Sequence, residues 1–269
     1  LFCVFLFSCV VALQEGLVMA QEMDVLLKLK ESFHNKTGLS SWTITNSSSS
    51  NPNSHDPASH CKGWAGVTCD NTTFNVVELS LSGLLLGGGG GANQSNMFVM
   101  FLKDLPYLER LDLSRNKLSG YIPTDLYLFR SLKSLDLSRN RLKGEIPSNG
   151  WDNLANLQIL YLHKNQLTGH IPPQLSGASR LERIVLKNNN LEGPIPGELF
   201  GANLKSLTHF EIDSNNLTGA IPEGIGASVS LQSFRASFNQ LNGTLPDSIG
   251  NVSGLREFVV NNNRLSGWV

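Results

Sequence analysis

The chain has 269 residues, of which 41% are apolar and 16% are charged, so it carries enough apolar material to form a core. Its 21 basic and 22 acidic residues leave a formal net charge of −1. That balance is not the overall charge of a nucleic-acid-binding protein or of one held on an anionic membrane surface, so neither partner is predicted.

Residues 1–20 are predicted to be a signal peptide whose start is missing. The chain begins with Leu, and the apolar run LFCVFLFSCVVAL is too short to span a bilayer. Val18 and Ala20 occupy the small-residue positions that precede a cleavage site, which would make Gln21 the mature N-terminus. The alternative is a short buried core segment.

Residues 21–75 are predicted to form an N-terminal cap. DVLLKLKESFHN predicts a short helix with Asp24 as its N-cap. The stretch from residue 43 to residue 60 is polar and of low complexity, and we expect a loop of disordered character there. The inward stripe of the helix is predicted to comprise Leu26, Leu27, Leu29, Lys30 and Phe33.

The cap also contains two cysteines, Cys61 and Cys69, whereas Cys3 and Cys9 lie in the signal segment. An even, closely spaced pair in a secreted protein predicts a disulfide, and two free thiols are the alternative. A zinc site is not expected, because two thiolates without a second ligand pair cannot complete a tetrahedral site.

Residues 76–107 are predicted to be a degenerate first copy of a repeat. In VVELSLSGLLLGG, Leu84 stands where later copies carry Asn. The run Gly87–Gly91 is not a phosphate-binding loop, because no Gly-Lys-Ser/Thr follows it. We expect a flexible insertion at the edge of the structure.

Residues 108–269 contain seven copies of L-x-x-L-x-L-x-x-N-x-L-x-G-x-I-P, and the last copy is truncated before its Pro. The interval between successive Asn residues is 24, 25, 24, 26, 24 and 24. Such a fixed period predicts a solenoid in which each coil is stabilised by its neighbours. The Asn positions, which we call the Asn ladder, are Asn116, Asn140, Asn165, Asn189, Asn215, Asn239 and Asn263.

The letters of the repeat predict its local structure. L-x-x-L-x-L alternates apolar and polar residues and predicts a strand with one buried face. The amide of the Asn both donates and accepts hydrogen bonds, so we expect it to satisfy backbone groups of its own coil and of the neighbouring coil. The Gly suits a backbone conformation or a close approach that a Cβ would obstruct. The Ile-Pro pair favours an extended return leg.

This frame resembles the plant-specific leucine-rich repeat, and LSSW with CKGWAGVTC resembles the N-terminal cap of plant leucine-rich repeat ectodomains. Cys61 and Cys69 have one more residue between them than that cap usually shows. The resemblance implies an α/β solenoid, a right-handed leucine-rich repeat superhelix with a parallel concave β-sheet. It also implies short helical or 3-10 return legs and an N-terminal cap made of a helix and a disulfide.

No catalytic motif is found in the sequence. There is no G-x-S-x-G, H-E-x-x-H or phosphate-binding loop, and His34, His55 and His60 are expected to be solvated. We predict no cofactor, no metal and no enzymatic activity in this region.

We therefore expect function to lie at the variable strand positions that face the concave surface. The first two full repeats carry nearly the same polar set there and indicate ordinary solvated surface. The next four mix aromatic, aliphatic and charged residues, which is typical of recognition surfaces, although solvent-facing variation is the alternative. The predicted ligand-binding residues are Tyr161, His163, Arg183, Lys187, His209, Glu211, Asp213, Arg235 and Phe238.

Seven Asn-x-Ser/Thr sequons are candidates for glycosylation. Three of them fall after predicted strands, so we expect Asn216, Asn242 and Asn251 to point away from the concave face. The seven are Asn35, Asn46, Asn71, Asn93, Asn216, Asn242 and Asn251.

The resemblance to receptor-like kinases and receptor-like proteins implies an extracellular domain of a plant cell-surface receptor. It would bind a peptide, protein or cell-wall-derived ligand on the concave face, with a possible co-receptor, and signal by association. We expect further repeats and a membrane-spanning helix beyond Val269. The alternative is a freely secreted inhibitor or wall protein resembling polygalacturonase-inhibiting proteins, which usually have a cap richer in cysteine.

Overall fold

The computed structural model describes residues 18, 20–31, 33, 36–42, 61, 63–86 and 102–267. Most of the predicted signal peptide, the loop 43–60 and the glycine run 87–91 lie outside the described residues. So do His34, His55, His60 and the sequons at Asn35, Asn46 and Asn93.

The cap begins with an α-helix that includes residues 20–31, here called α1. The prediction that Asp24 caps it is wrong, because the helix already includes Ala20; Asp24 lies inside it and pairs with Lys28 at 2.5 Å. The predicted stripe is largely correct: Leu26 and Leu29 are fully buried. Phe33 is also buried, Leu27 is partly buried, and the Lys30 ammonium donates to the Trp42 carbonyl at 2.7 Å.

The remainder of the cap is fastened by a tryptophan pair and a disulfide. The rings of Trp42 and Trp64 stack with centroids 5.5 Å apart, and the Trp42 indole N–H donates to the Ala65 carbonyl at 2.9 Å. Cys61 and Cys69 are bonded, which confirms the predicted disulfide. These contacts hold the cap over the first strands of the sheet.

In the described residues the main sheet has nine strands, in the order β1-β2-β3-β5-β7-β9-β11-β13-β15. The strand β1 comes from the cap and is antiparallel to β2, and the other eight are parallel and come from the repeats. The strands within the described residues, numbered along the chain, are β1 Val67–Cys69, β2 Val76–Ser80, β3 Arg110–Asp112, β4 Ser119–Gly120, β5 Ser134–Asp136, β6 Arg141–Gly144, β7 Ile159–Tyr161, β8 Gln166–Leu167, β9 Arg183–Val185, β10 Glu192–Gly193, β11 His209–Glu211, β12 Asn216–Leu217, β13 Ser233–Arg235, β14 Asn242–Gly243, β15 Glu257–Val259 and β16 Arg264–Leu265.

Six return legs of the described repeats contain a short 3-10 helix after the Pro of the repeat, as expected; five follow an Ile-Pro pair and one follows Leu245-Pro246. Two examples are the helices that begin directly after Pro123 and Pro172. The fixed φ of each Pro keeps the backbone extended where the chain enters the helix. The 3-10 helices of the repeats are Thr124–Leu128, Trp151–Leu154, Pro173–Gly177, Gly197–Leu199, Glu223–Ala227 and Asp247–Asn251, and a further one, Thr37–Leu39, lies in the cap.

The sequence did not predict the short strands that follow each ladder Asn. These pair in parallel as β4-β6-β8, β10-β12 and β14-β16 along one lateral side of the solenoid. Most have two residues, which is too short for a periodic pattern to reveal them. Their Gly residues have positive φ, for example +75° at Gly144, where a Cβ would lie 2.5 Å from the Tyr121 ring.

The Asn ladder fastens each coil to the one before it, as predicted. The Asn140 side-chain oxygen accepts from the Leu118 N–H at 3.0 Å. Its amide nitrogen donates to the Leu113 and Leu137 carbonyls at 2.9 and 3.1 Å. Asn116 makes the same contacts with Leu86 and Leu81 of the degenerate copy, which has no ladder Asn of its own.

Apolar side chains from every coil join into one continuous core. Leu dominates it, but phenylalanines replace Leu towards the last repeats. Phe210, Phe234 and Phe258 stack in sequence with centroids 6.0 and 5.4 Å apart, and Phe200 meets Phe210 edge-on at 5.5 Å. We call these four residues the Phe stack.

Candidate ligand-binding surface

The nine predicted ligand-binding residues all lie on or just after strands β7 to β13 of the concave sheet. Arg183 is exposed, and Phe238 is 58% exposed, which is unusual for an aromatic ring. Asp213 is only 8% exposed and is therefore poorly placed for direct contact with a ligand. The remaining six, Tyr161, His163, Lys187, His209, Glu211 and Arg235, are half-buried.

Five of the nine line one solvent-open groove at the carboxyl end of these strands. We call it the concave groove. The other lining residues were not in the predicted ligand-binding set, although the sequence had placed Arg139, Lys164 and Ser237 at positions that face the concave surface. The lining residues are Arg139, His163, Lys164, Lys187, Asn188, Asp213, Ser214, Arg235, Ser237, Phe238 and Asn261. Tyr161, Arg183, His209 and Glu211 lie on the same sheet outside it.

Ion pairs between successive coils fix one side of this surface. The Lys187 ammonium lies 2.6 Å from the Glu211 carboxylate. The Arg235 guanidinium lies 3.4 Å from Asp213 and also binds Glu257. Asp213 additionally accepts from the Ser237 N–H at 3.1 Å. Asp213 and Glu257 together fix the orientation of the Arg235 guanidinium, which bridges two coils.

A histidine contributes a neutral polar group to the groove. Burial, together with the cations Lys187 and Arg139, lowers the pKa of His163 to about 4. Its ring meets Tyr161 edge-on with centroids 6.1 Å apart. Burial and the neighbouring Arg183 also lower the pKa of His209. Both imidazoles are therefore uncharged near neutral pH, and they offer hydrogen bonds and ring faces in place of positive charge.

The residue before each ladder Asn has a left-handed backbone, which the sequence did not reveal. φ is +56° at Arg139 and at Phe238, and +58° at Asn188. In this turn the N–H of the residue donates to a carbonyl of the next coil; the Phe238 N–H, for example, donates to the Asn261 carbonyl at 3.0 Å. Its side chain then projects over the concave groove, so variation here changes the groove directly.

The described sequons avoid the concave sheet. Asn216 and Asn242 are exposed in the lateral strands β12 and β14, and Asn251 is exposed at the end of a 3-10 helix. Asn71 is exposed in the turn between β1 and β2. Glycans at these positions would leave the concave groove open.

No group of three or more His, Cys, Asp or Glu side chains in the described part of the chain is placed to hold a metal ion. None of the helices in the described ranges is long and apolar enough to cross a membrane.

A capped solenoid with this repeat defines a known class of protein, and sequence comparison identifies the family. Residues 96–142, 156–178, 180–202, 206–228 and 230–252 match the leucine rich repeat, and residues 19–70 match the leucine rich repeat N-terminal domain. The chain belongs to the leucine-rich repeat family, in the form that carries the plant-type N-terminal cap.

Among curated relatives, Receptor-like protein 35 of Arabidopsis thaliana is 35% identical over 115 residues. The match covers 41% of this chain and 12% of that protein. The chain spans about a tenth of the length of the first curated relatives it matches.

The solved structures that resemble this chain include two receptor structures that cover most of its length. The structure of PEPR1 with AtPEP1 has a TM-score of 0.74 and 34% identity, and covers 91% of this chain and 32% of that chain. The ectodomain of the Arabidopsis thaliana receptor kinase GASSHO1/SCHENGEN3 in complex with CASPARIAN STRIP INTEGRITY FACTOR 2 has a TM-score of 0.72 and 34% identity. It covers 91% of this chain and 30% of that one.

Proposed function

We propose that this chain is the ligand-recognition region of an extracellular plant receptor, and that it binds a peptide or protein on its concave face. The observation that supports it most directly is the concave groove, where Phe238 stands exposed beside the charges of Arg235 and Lys187. Exposed aromatic and arginine side chains around a depression are typical anchors of binding energy.

The chemistry of the surface supports recognition by association. The polar groups of the groove are fixed by cross-coil ion pairs, so a ligand meets a preorganised set of donors and acceptors. Lys187 and Arg235 pair with carboxylates of neighbouring coils, and burial keeps His163 neutral. No titratable residue is arranged as a nucleophile beside a base in the described residues. Signalling would follow from ligand-dependent contact with a co-receptor.

The relatives and solved structures support the same proposal, because they include receptor-like proteins and receptor kinases. Two of the solved structures contain a bound partner. The same family resemblance supports an extracellular location for this chain.

The test uses a random peptide library displayed on phage. Peptides enriched on the chain would be titrated against the variant Tyr161→Ala/Arg183→Ala/Phe238→Ala. We expect at least a roughly tenfold loss of affinity, since two aromatic anchors and an Arg are removed together. The melting temperature should stay nearly unchanged, because none of the three side chains belongs to the buried core.

The matched control is Tyr107→Ala/Leu128→Ala/Arg130→Ala, which removes the same kinds of exposed side chain outside the sheet strands. It should bind the enriched peptides like the unchanged chain. Equal affinity of the concave variant and the control would overturn the proposal.

A further inference from the structure

The concave groove carries its unpaired positive charge at one end. Arg139 and Lys164 line the groove from the turns just before the ladder Asn of the second and third full repeats, and both side chains are exposed. Among the described residues, no carboxylate lies within ion-pairing distance of either cation. We call these two residues the cationic end of the groove, and their charge is open to a ligand.

The cations further along the groove are already paired. The Lys187 ammonium lies 2.6 Å from the Glu211 carboxylate, and Arg235 binds both Asp213 and Glu257. At these positions a ligand carboxylate would meet a resident carboxylate as well as the cation, so attraction and repulsion largely offset each other. The attraction for a negatively charged group is therefore strongest at the cationic end.

A half-buried histidine shows that the two unpaired cations act on one region of the groove. Burial is the main reason that the pKa of His163 is lowered to about 4. The positive charges of Lys187, Arg139 and Lys164 lower it further, and Glu211 opposes them. Screening limits such charge effects to about 10 Å, so both unpaired cations lie within about that distance of the ring. The neutral imidazole adds no charge of its own.

The opposite end of the groove is apolar. Phe238 is 58% exposed, and among the described lining residues it is the only large apolar side chain. Its backbone is fixed, because its N–H donates to the Asn261 carbonyl at 3.0 Å. The same turn position in the two preceding coils holds Asn188 and Ser214, which carry no charge. The groove thus changes from cationic to apolar along its length.

The distance between the two ends follows from the repeat. Arg139, Lys164 and Phe238 occupy the same turn position, and three coil steps separate Lys164 from Phe238, while four separate Arg139 from it. Strands of successive coils are about 4.8 Å apart, which gives a separation of about 14–19 Å. An extended peptide advances about 3.3 Å per residue, so about four to six residues span the two ends.

Resting on the function proposed above, we propose that the concave groove selects an extended peptide segment with an acidic side chain at the cationic end and an apolar side chain about four to six positions away on Phe238. The carboxylate would accept from Arg139 and Lys164, and the apolar side chain would cover the exposed ring. The concave sheet continues past the cationic end through β5, β3 and β2. The described sheet therefore lets the peptide run on there, which fits a side chain better than a terminal carboxylate.

The first test selects peptides on the full chain from two phage-displayed libraries. The libraries differ only at one fixed position, which is Glu in the first and Gln in the second, and they are random elsewhere. We expect the Glu library to be enriched, with apolar residues concentrated about four to six positions from the Glu. Equal enrichment of the two libraries, or apolar residues without a preferred spacing, would overturn this inference.

The second test titrates an enriched peptide, and its form with Gln in place of Glu, against the variant Arg139→Gln/Lys164→Gln. Gln keeps a side chain of similar length, so the left-handed backbone at both positions is no more strained than before. The Glu peptide should lose affinity roughly three- to tenfold, as expected for exposed charge pairs. The Gln peptide should bind the variant and the unchanged chain equally, and an equal loss for both peptides would contradict a contact between the Glu and these cations.

The matched control is Lys103→Gln/Lys205→Gln, which removes the same net charge from exposed positions outside the groove. It should bind the Glu peptide within about twofold of the unchanged chain, because screening weakens distant charges. A loss equal to that of Arg139→Gln/Lys164→Gln would show that only net charge matters and would overturn the inference.

The apolar end is tested in the same crossed way. Phe238→Ala should weaken the enriched peptide but not its form with Ser at the apolar position, and the losses at the two ends should add, because the ends do not touch. Amidation of the peptide C-terminus should leave the affinity unchanged. A loss on amidation would show that the cations hold a terminal carboxylate and would reject the acidic side chain.

These outcomes separate this inference from the function on which it rests. Peptides that bind, and that lose affinity for Tyr161→Ala/Arg183→Ala/Phe238→Ala without any preference for Glu, would leave the proposed function standing and overturn only this inference. If neither library yields a peptide that binds, or if that variant binds as tightly as the unchanged chain, both proposals fall.

Discussion

Asn189 and Asn190 are neighbours in one turn, yet they have opposite roles. Asn189 is buried, accepts from the Leu167 N–H at 3.1 Å and donates to the Leu186 and Leu162 carbonyls at 2.9 and 3.1 Å. Asn190 is exposed, and only its backbone bonds to the previous coil. The two residues therefore allow the side-chain hydrogen bonds of the ladder to be measured without a change of residue type.

We predict that Asn189→Ala lowers the free energy of unfolding by about 2–3 kcal/mol, because a buried backbone N–H and carbonyls lose their partner. Asn190→Ala should change it by less than about 0.5 kcal/mol. Urea unfolding followed by circular dichroism provides the comparison. Similar losses in both variants would mean that the ladder contributes little to stability.

Phe238 combines exposure with a left-handed backbone, which costs a residue with a Cβ about 1 kcal/mol. Asn tolerates this conformation better. Phe238→Asn should therefore raise the free energy of unfolding by about 0.5–1 kcal/mol. The same variant should bind the peptides enriched on the concave groove more weakly. Phe238→Ala should weaken them without the gain in stability. A Phe238→Asn variant no more stable than Phe238→Ala would contradict this account.

Residue roles followed from sequence only where the repeat itself imposed them. Asn140 and Gly144 behave as predicted because each copy restates the same backbone requirement. The burial of Asp213 was not predictable, because it depends on Arg235 and Ser237 of the following coil reaching back to it. The choice of ligand-binding residues stays a prediction.

At the scale of single elements, helix α1 holds a buried carboxylate against the sheet. Glu22 is 1% exposed and accepts from the Val76 N–H of β2 at 2.9 Å. Its other oxygen has no partner among the described residues. Burial raises the pKa of Glu22 from 4.5 to about 7, and the Val76 hydrogen bond opposes part of this shift.

The raised pKa of Glu22 predicts that the cap is more stable at acidic pH. The pKa of Glu22 is higher in the folded state than in the unfolded state. The stability that protonated Glu22 contributes is therefore fully present below about pH 4.5 and is lost as the pH rises through about 7. We expect the cap to lose roughly 2–3 kcal/mol of stability over this range. Glu22→Gln should remove most of that dependence.

Thermal unfolding of the cap, followed by Trp42 and Trp64 fluorescence across the pH range, measures the effect. Glu31→Gln on the same helix is the control, because Glu31 is exposed and its hydrogen bond with Lys36 lowers its pKa. Parallel pH profiles for the unchanged chain and Glu22→Gln would show that Glu22 is not responsible.

Elements were predictable in proportion to their length and repetition. In the described repeats the concave strand recurs seven times and the 3-10 leg six times, and both were expected, whereas the lateral strands of two residues left no periodic trace. The start of α1 was misplaced because Asp24 has the chemistry of an N-cap, while packing against β2 extends the helix past it.

Across the whole molecule, we expect resistance to local opening to decrease from the centre of the concave sheet towards strand β15. The central strands β5, β7, β9 and β11 of the concave sheet each have a strand on both sides, and their middle residues are fully buried. Strand β15 is at the edge of the described sheet, and its three residues are only half-buried. A solenoid gains stability from neighbouring coils, so its edge opens most easily.

Hydrogen exchange followed by mass spectrometry should therefore show the slowest amides in β5, β7, β9 and β11 and faster exchange in β15. The difference reflects local opening and should grow in mild denaturant. Uniformly slow exchange through β15 would contradict the prediction.

The Phe stack has a mechanical consequence. A solenoid pulled from its two ends yields coil by coil, and each coil of about 24 residues should lengthen the chain by about 80 Å. The coils that share Phe210, Phe234 and Phe258 are joined by broad ring contacts as well as by ladder hydrogen bonds. Under tension these coils should rupture at higher force than the leucine-packed coils before them, so the stack would act as the stiffest segment of the repeat array.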